Sequence, residues 1–292
     1  MKVFSFKLLN HAVLIFLSVL FIVPILTLFS ISISGEASIL QNGYSILPKE
    51  IDFSAYLYVF ENPAMILNAY KVTIIVSVTG AVISLFIMMM CAYALSRSCF
   101  KYRRILNFYI FFTMLFNGGM IPSYILTTQY LRLQDTLLIL MLSSLVNAWY
   151  IFILRTFIKE IPESIIESAM LDGASEFRIF ISLILPLSKA ALATIGLFVL
   201  LGYWNEWMTA LLYITKPNLY PLQYLLQKIL QNLQQILQNM DKMPAGMASD
   251  ANVPNESVRM ALAIVAAGPM LFIMPFFQKY FARGMTVGSV KG

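Results

Sequence analysis

Charged residues are scarce in this sequence, and their scarcity excludes two broad classes of protein. Asp, Glu, Lys and Arg make up 12% of the 292 residues, whereas ordinary globular chains contain about 25%. Hydrophobic residues reach 60%, which is more apolar surface than a soluble fold of this size can bury. Disorder is excluded as well, because disordered segments are poor in apolar residues and rich in charge. The composition indicates an integral membrane protein.

Residues that carry catalysis or bind metals are also few. The chain has one histidine, His11, and two cysteines, Cys91 and Cys99, which are too few for a disulfide scaffold or a metal site of the common kinds. Its 13 glycines include no G-x4-GK[ST] loop that could cradle nucleotide phosphates. We expect no catalytic residue, no metal and no cofactor bound by this chain, and we interpret His11 as an interfacial residue.

Long uncharged stretches predict an all-α integral membrane protein with six transmembrane helices in a single domain, residues 1–292. A helix needs about 20 mostly apolar residues to cross a bilayer. The first apolar run exceeds the roughly 7–15 residues of a signal-peptide core, so we expect it to be retained. The predicted spans are approximately 12–34, 70–96, 105–127, 136–156, 189–214 and 258–280.

The distribution of basic residues predicts the orientation. With both termini in the cytoplasm, thirteen Lys and Arg fall in inner segments and seven in outer ones, as the positive-inside rule requires. The net charge of +6 is therefore a topology signal, and we expect no nucleic-acid partner. This orientation makes 160–188 a cytoplasmic loop and 216–257 an extracellular one.

The cytoplasmic loop 160–188 has the pattern of a helix-turn-helix. Ser164 and Glu167 have the spacing of a capping box, so we expect a helix to begin between residues 162 and 164. Gly173 can take the left-handed conformation that ends a helix, and a second helix then runs to Pro186. An amphipathic connector lying on the inner leaflet is the alternative interpretation.

The complete spacing of this loop resembles the EAA loop of ABC importer permeases, written EAA-x3-G-x9-I-x-LP. The matching residues are Glu167, Ser168, Ala169, Gly173, Leu183, Leu185 and Pro186, with Ser168 in place of Ala and Leu183 in place of Ile. The DGA sequence at 172–174 and Phe180 are similar to carbohydrate-uptake permeases of the maltose type. The GGMIP stretch at 118–122 and the VKG ending resemble the branch of lipoprotein-named and polysaccharide-type permeases, which take larger oligosaccharides.

This resemblance implies a type I ABC importer permease fold and a coupling role for the loop. Glu167 would pair with a basic residue of an ATPase, Gly173 would permit the sharp turn, and Ala169 and Ala174 would allow close packing. The ATPase-coupling residues that it implies are Glu167, Ser168, Ala169, Asp172, Gly173, Ala174 and Phe177.

The resemblance also implies the assembly in which the chain works. The implied partners are a paralogous permease, two ATP-binding subunits that hold the ATP and Mg²⁺, and an extracellular solute-binding protein of the lipoprotein kind. The implied location is the bacterial cytoplasmic membrane, where the chain contacts lipid, and the implied cargo is an oligosaccharide.

A cluster in the fifth predicted span is a candidate for the solute path. Aromatic faces, amides and carboxylates suit a sugar, and an acid within a span is costly enough to suggest function. The cluster consists of Tyr203, Trp204, Asn205, Glu206 and Trp207. A gating or partner contact and an interfacial aromatic belt remain open as alternatives.

Asn117 is a second candidate for the solute path, because it stands beside Gly118 and Gly119 in the third predicted span. We favour close helix packing at these small residues over a bent segment beside a cavity.

Other functions and one surface stay open on the sequence alone. A coupling loop indicates that an ATPase drives the transport but does not identify the solute. An ABC permease for a non-sugar solute is therefore the second interpretation. A secondary transporter or channel would need intramembrane coupling acids, and a membrane-embedded enzyme would need catalytic side chains. The amphipathic outer helix predicted over 222–240 could lie on the membrane, contact a partner permease or seat a binding protein.

Overall fold

A computed structural model describes residues 2–240 and 256–287, with side chains described for 9–236, 238 and 256–277. Those residues form helices and loops and no β-strand, apart from one antiparallel bridge between Ser34 and Ile51. The all-α prediction is confirmed. The outer-loop segment 241–255 and the VKG ending lie outside the described residues.

The α-helices are numbered in chain order, and two π-helical segments and one 3-10 turn lie between them. They are α1 (Lys2–Ser32), α2 (Glu36–Asn42), α3 (Ser54–Val59), α4 (Pro63–Ser96), α5 (Arg103–Leu115), α6 (Met120–Ile125), α7 (Leu137–Leu142), α8 (Ala148–Lys159), α9 (Glu163–Leu171), α10 (Glu176–Ile179), α11 (Leu185–Leu187), α12 (Lys189–Asn205), α13 (Met208–Tyr213), α14 (Leu222–Met240) and α15 (Glu256–Val287). The π-helical segments are Leu126–Tyr130 and Phe180–Ile184, and the 3-10 turn is Pro217–Leu219.

The chain divides into two compact units, of which the first comprises residues 1–66 and 226–269. In this unit the Glu36 carboxylate accepts hydrogen bonds from the backbone N–H groups of Glu256 and Ser257, at 3.0 and 3.2 Å, and from the Ser257 hydroxyl at 3.0 Å. Free N–H groups at a helix start need acceptors. Glu36 therefore caps α15 from a position distant in sequence.

The second unit comprises residues 67–225 and 270–292, and its core lies along α4. Met88 and Met89 of α4 and Leu154 of α8 are completely buried. Ile184, at the end of the second π-helical segment, is equally buried. Phe86 and Tyr93 of α4 contact Phe180 of the same segment, with ring centroids 5.8 and 5.7 Å apart, so the second predicted span packs on the segment that follows α10.

Helices that are long and apolar enough to cross a membrane match part of the predicted topology. By length and composition, Leu9–Ser32, Pro63–Ser96 and Glu256–Phe277 qualify as single helices among the described residues. Two further spans result when bent pairs are joined, Arg103–Leu115 with Met120–Tyr130 (110°) and Glu176–Leu187 with Lys189–Asn205 (82°). The predicted span 136–156 is divided between α7 and α8, so six spans remain a prediction.

The break in the third predicted span has a local cause. Gly119 has φ +89°, a conformation that favours glycine, and the Asn117 Oδ1 accepts a hydrogen bond from its N–H at 2.9 Å. A Cβ added at Gly118 would have no atom of the chain within 4 Å. Our preference for close packing at these glycines is therefore wrong within this chain, because the segment bends instead.

Candidate functional site

The helix-turn-helix predicted for residues 160–188 is present, and its first helix ends at the predicted glycine. Gly173 has φ +78°. Its N–H bonds to the Met170 carbonyl and the N–H of Ala174 bonds to the Ala169 carbonyl, both at 3.0 Å. This pair of hydrogen bonds is the Schellman arrangement, which needs a residue of positive φ at this position.

The start of α9 differs from the predicted capping box. The helix begins at Glu163 after Pro162, and no side chain caps it. Ser164 lies inside the first turn, where its carbonyl accepts the Ser168 hydroxyl at 2.8 Å. The helix therefore begins within the predicted 162–164, but the capping-box prediction is wrong, because Pro162 occupies the cap position and Ser164 is the second residue of the helix. The second helix has a serine N-cap: the Ser175 Oγ accepts the Arg178 N–H at 3.3 Å.

The outer face of the helix-turn-helix combines acids with exposed apolar side chains. Leu171 is 89% exposed and Phe177 is 60% exposed. Glu167 and Asp172 are exposed beside them, whereas Ile166 on the opposite side of α9 is buried. Large apolar side chains exposed at a polar tip are typical of protein interaction surfaces. The remaining predicted coupling residues are exposed at Ser168 and Gly173 and half-buried at Ala169 and Ala174.

The aromatic part of the fifth-span cluster is packed inside the chain. Tyr203 and Trp204 are each 3% exposed. The Tyr203 hydroxyl donates to the Met141 carbonyl at 2.7 Å, and its ring lies so close to Gly80 that an added Cβ would be 2.8 Å from the ring. These contacts fix Tyr203 between α4 and the end of α7.

The polar part of the same cluster lies at a break between α12 and α13. Glu206 is half-buried, and one oxygen of its carboxylate accepts the N–H of Thr209 at 2.9 Å and its hydroxyl at 3.2 Å. These bonds provide an acceptor for a free backbone N–H group in the first turn of α13. Asn205 is exposed and accepts a hydrogen bond from Gln223 at 3.2 Å, and Trp207 is half-buried.

A polar interruption in the predicted fourth span was missed by sequence reasoning. Helix α7 ends at Leu142, and α8 begins at Ala148 with Asn147 as its cap, the Asn147 Oδ1 accepting the Trp149 N–H at 2.9 Å. The Ser84 hydroxyl donates to the Leu145 carbonyl at 2.6 Å. Non-helical backbone at membrane depth is tolerated where protein buries it or where it lines a cavity.

A cavity of about 240 Å³ opens at this interruption. Its polar lining comes from three hydroxyl-bearing serines, one amide and one tyrosine, and α12 closes the opposite side with a phenylalanine, a valine and a glycine. The polar lining residues are Ser84, Ser143, Ser144, Asn147 and Tyr150, and Gly202 is the glycine of α12. The only signal in the sequence was the group of Ser143, Ser144 and Asn147 within an otherwise apolar run.

Asn117, the remaining predicted path residue, is exposed at the bend of the third predicted span. Its side chain stabilises the bend by accepting the Gly119 N–H. It does not line the cavity at 143–147.

Comparison with known proteins relates the chain to membrane transport components. Residues 84–287 match the family described as "Binding-protein-dependent transport system inner membrane component". The chain is 35% identical over 292 residues, all of both chains, to the polygalacturonan/rhamnogalacturonan transport system permease protein YtcP of Bacillus subtilis. It is 37% identical over 271 residues to Protein LplC of the same organism, over 93% of this chain and 90% of the relative.

A solved structure agrees with these sequence matches. The structure of a bacterial ABC transporter involved in the import of the acidic polysaccharide alginate contains a chain that is 32% identical to this one. It superposes with a TM-score of 0.78 over 94% of this chain and 96% of that chain.

Proposed function

Because the chain belongs to the family of binding-protein-dependent transport system inner membrane components, we propose that it is the permease subunit of an ATP-driven oligosaccharide importer. The resemblance to carbohydrate-uptake ABC permeases, stated on the residues of the loop, is confirmed by these matches. The cargo is proposed from the relatives, whose names include transport of polygalacturonan and rhamnogalacturonan.

The single observation that carries the coupling role is the exposed tip of the helix-turn-helix. Leu171 and Phe177 place apolar surface next to the acids Glu167 and Asp172, and Gly173 makes the turn between the helices. An apolar contact surrounded by charges gives an interface both affinity and a fixed orientation. We assign this tip to an ATPase subunit whose facing surface is basic.

The partners follow from this assignment. A paralogous permease completes the translocation path, two ATP-binding subunits supply ATP hydrolysis with Mg²⁺, and an extracellular binding protein delivers the solute. Closing of the two ATPases moves the helix-turn-helix, and the motion changes which side of the membrane the path faces. The proposed orientation, with both termini in the cytoplasm, places the tip on the side where ATP is available.

We assign the solute path of this chain to the polar cavity at 143–147 together with the break at 205–207. Hydroxyls and amides that lie a few ångströms apart can hydrogen-bond the hydroxyls of a sugar. Ser143, Ser144 and Asn147 provide such groups on one side of the cavity, and Asn205 and Glu206 provide them one helical turn beyond Gly202. The buried Tyr203 and Trp204 support the path from behind.

The test is uptake by proteoliposomes that contain the chain with its partner permease and ATPases. We expect ATP-dependent uptake of labelled oligogalacturonides delivered by the binding protein. Uptake that is unchanged without the ATPases would refute the importer, and ATP-dependent uptake of a non-sugar solute alone would establish the second interpretation.

Two single serine variants, compared in the same proteoliposomes, test the proposed solute path. Ser144→Ala removes one hydroxyl from the cavity and should raise the KM for the solute. Ser18→Ala is the matched control, because the Ser18 hydroxyl bonds to the Leu14 carbonyl on an exposed face of α1. Equal kinetics of both variants would exclude Ser144 from the path.

A further inference from the structure

The two residues that follow α4, Arg97 and Ser98, contact both helices of the helix-turn-helix. The Ser98 hydroxyl donates to the Glu163 carboxylate at 3.1 Å, at the start of α9. The Arg97 guanidinium Nη2 lies 3.6 Å from the Met170 Sδ, in the last turn of α9. The same nitrogen lies 3.4 Å from the Glu176 Oε1, at the start of α10. Two consecutive residues thus contact the loop before and after its glycine turn.

Arg97 is buried while it makes these contacts. It is 9% exposed, and Tyr93, one turn earlier on α4, is 6% exposed. The Tyr93 hydroxyl donates to the second oxygen of the Glu176 carboxylate, and the guanidinium carbon lies 6.0 Å from the centre of the Tyr93 ring. We call Tyr93, Arg97, Met170 and Glu176 the Arg97 cluster.

A buried arginine remains charged, so its position depends on the opposite charge beside it. Glu176 supplies that charge from the moving loop, whereas Tyr93 and Arg97 belong to α4 and its end. A displacement of α10 away from α4 would leave the guanidinium buried without its carboxylate. The loop and the end of α4 are therefore energetically tied to one another.

The cluster also has room to rearrange. A cavity of about 400 Å³ borders it and is lined by Tyr93, Arg97, Glu176 and Phe177, among other side chains. The Arg97 Nε is buried and has no hydrogen-bond partner among the described residues, and the Glu176 side chain is half exposed. The single contact of 3.4 Å is longer than the two-pronged pairing that arginine and a carboxylate can adopt.

We propose that Arg97 is a positioning residue that transmits the movement of the helix-turn-helix to α4 through its pairing with Glu176. This inference rests on the proposed function, because it concerns how the ATPase-facing loop is connected to the membrane helices. Arg97 does not belong to the docking surface itself. Leu171 and Phe177 are exposed at the tip, whereas the Arg97 guanidinium lies behind it in the interior.

The test uses the complete transporter in proteoliposomes and measures three quantities: association with the ATPase, basal ATP hydrolysis and hydrolysis stimulated by the loaded binding protein. Arg97→Met keeps the length of the side chain and removes its charge. We expect association and basal hydrolysis to stay near normal, while stimulated hydrolysis and uptake fall at least about five-fold, the lower end of typical coupling effects. Arg97→Lys keeps the charge and should recover part of the stimulation.

Charge exchange distinguishes a specific pair from a general packing role. Arg97→Glu combined with Glu176→Arg should be more active than either single variant, a result that a packing role does not predict. Arg104→Met is the matched control, because Arg104 is an exposed arginine of the same basic segment. Its stimulation should be normal.

Normal stimulation in Arg97→Met would overturn the proposal, and so would loss of ATPase association in Arg97→Met and Arg97→Lys alike. If Arg97→Met does not accumulate in the membrane, Glu176→Gln decides, because it keeps an acceptor for Tyr93 and removes the charge. Normal stimulation of that variant also overturns the proposal. Absence of ATPase association in the unmodified chain would instead refute the proposed function.

Discussion

If the helix-turn-helix couples this chain to an ATPase as proposed, valine at position 173 is expected to break that link. Gly173 has φ +78°, and a Cβ built there would meet no atom within 4 Å. The substitution therefore acts through backbone strain and not through a clash. Any side chain with a Cβ costs about 1–2 kcal/mol in the left-handed region, and a β-branched side chain is a stronger outlier there.

The expected loss of ATPase affinity depends on the contacts that stabilise the turn, and these are few. Two hydrogen bonds close it, and most side chains between Glu167 and Arg178 are exposed, so strain is not compensated by a large buried core. Each 1.4 kcal/mol changes an affinity about ten-fold. If docking needs the native turn, Gly173→Ala should weaken ATPase association roughly five- to thirty-fold. Gly173→Val should weaken it further, and Gly173→Asn least, because Asn tolerates positive φ.

The assay is co-purification and equilibrium binding of the ATPase to the permease pair in detergent. Gly43→Val is the matched control: Gly43 has φ +72° and equally open surroundings, but it lies between the first and second predicted spans, which is the extracellular side in the predicted orientation. It should leave ATPase binding unchanged. Normal binding and transport by Gly173→Val would show that the loop is only a connector and would remove the main support for the coupling role.

Three further predictions concern contacts outside the loop. Glu36→Ala should lower the unfolding free energy by about 1 kcal/mol through loss of the α15 cap. The measurement is thermal unfolding in detergent, and the control is Glu61→Ala, which removes an exposed acid that also lies between the first and second predicted spans. Equal unfolding midpoints of the two variants would refute the cap. Gly80→Ala should destabilise by about 1–3 kcal/mol, because its Cβ would be 2.8 Å from the Tyr203 ring, and unchanged unfolding would show that the ring can move. Hydrogen bonds from the side chain and backbone of Thr215 hold the pKa of Asp135 below its ordinary value, so the contact stabilises the folded loop above about pH 4 and is lost as pH falls through the lowered pKa. Hydrogen exchange at the Thr215 amide should therefore accelerate towards pH 3 relative to its intrinsic rate, and Asp135→Asn should flatten that acceleration.

The glycine turn could be predicted from sequence because its determinants are local. Gly173 follows an amphipathic run of one helix length, and only glycine takes positive φ without strain. The start of the same helix, at Glu163, falls within the predicted 162–164, but the predicted cap is wrong. Ser164 and Glu167 fit a capping box by spacing, but Pro162 already fixes the entry, so Ser164 falls inside the helix.

The interruption of the fourth predicted span depends on contacts that no local pattern contains. Residues 136–154 carry no charge, and their composition suits a continuous helix. The break is stabilised by groups of α4, since Ser84 donates to the Leu145 carbonyl and Met88 Sδ accepts the Asn147 N–H at 3.4 Å. Only the fold brings these partners to the open backbone.

The fifth-span cluster shows why residue type alone locates a path imprecisely. Aromatic and acidic residues at 203–207 suggested one sugar-binding surface, yet successive helical residues point in different directions. Tyr203 and Trp204 consequently pack inward, and Asn205 is exposed. Glu206 accepts the Thr209 N–H at the start of α13. The open polar space lies beside Gly202 and is completed by Ser84 of α4 and by Ser143 and Ser144 of the break. Because a lipid-facing break would leave backbone groups unsatisfied, the break at 143–147 is stable only where protein or a hydrated path covers it, and this requirement favours the cavity as the place where solute passes.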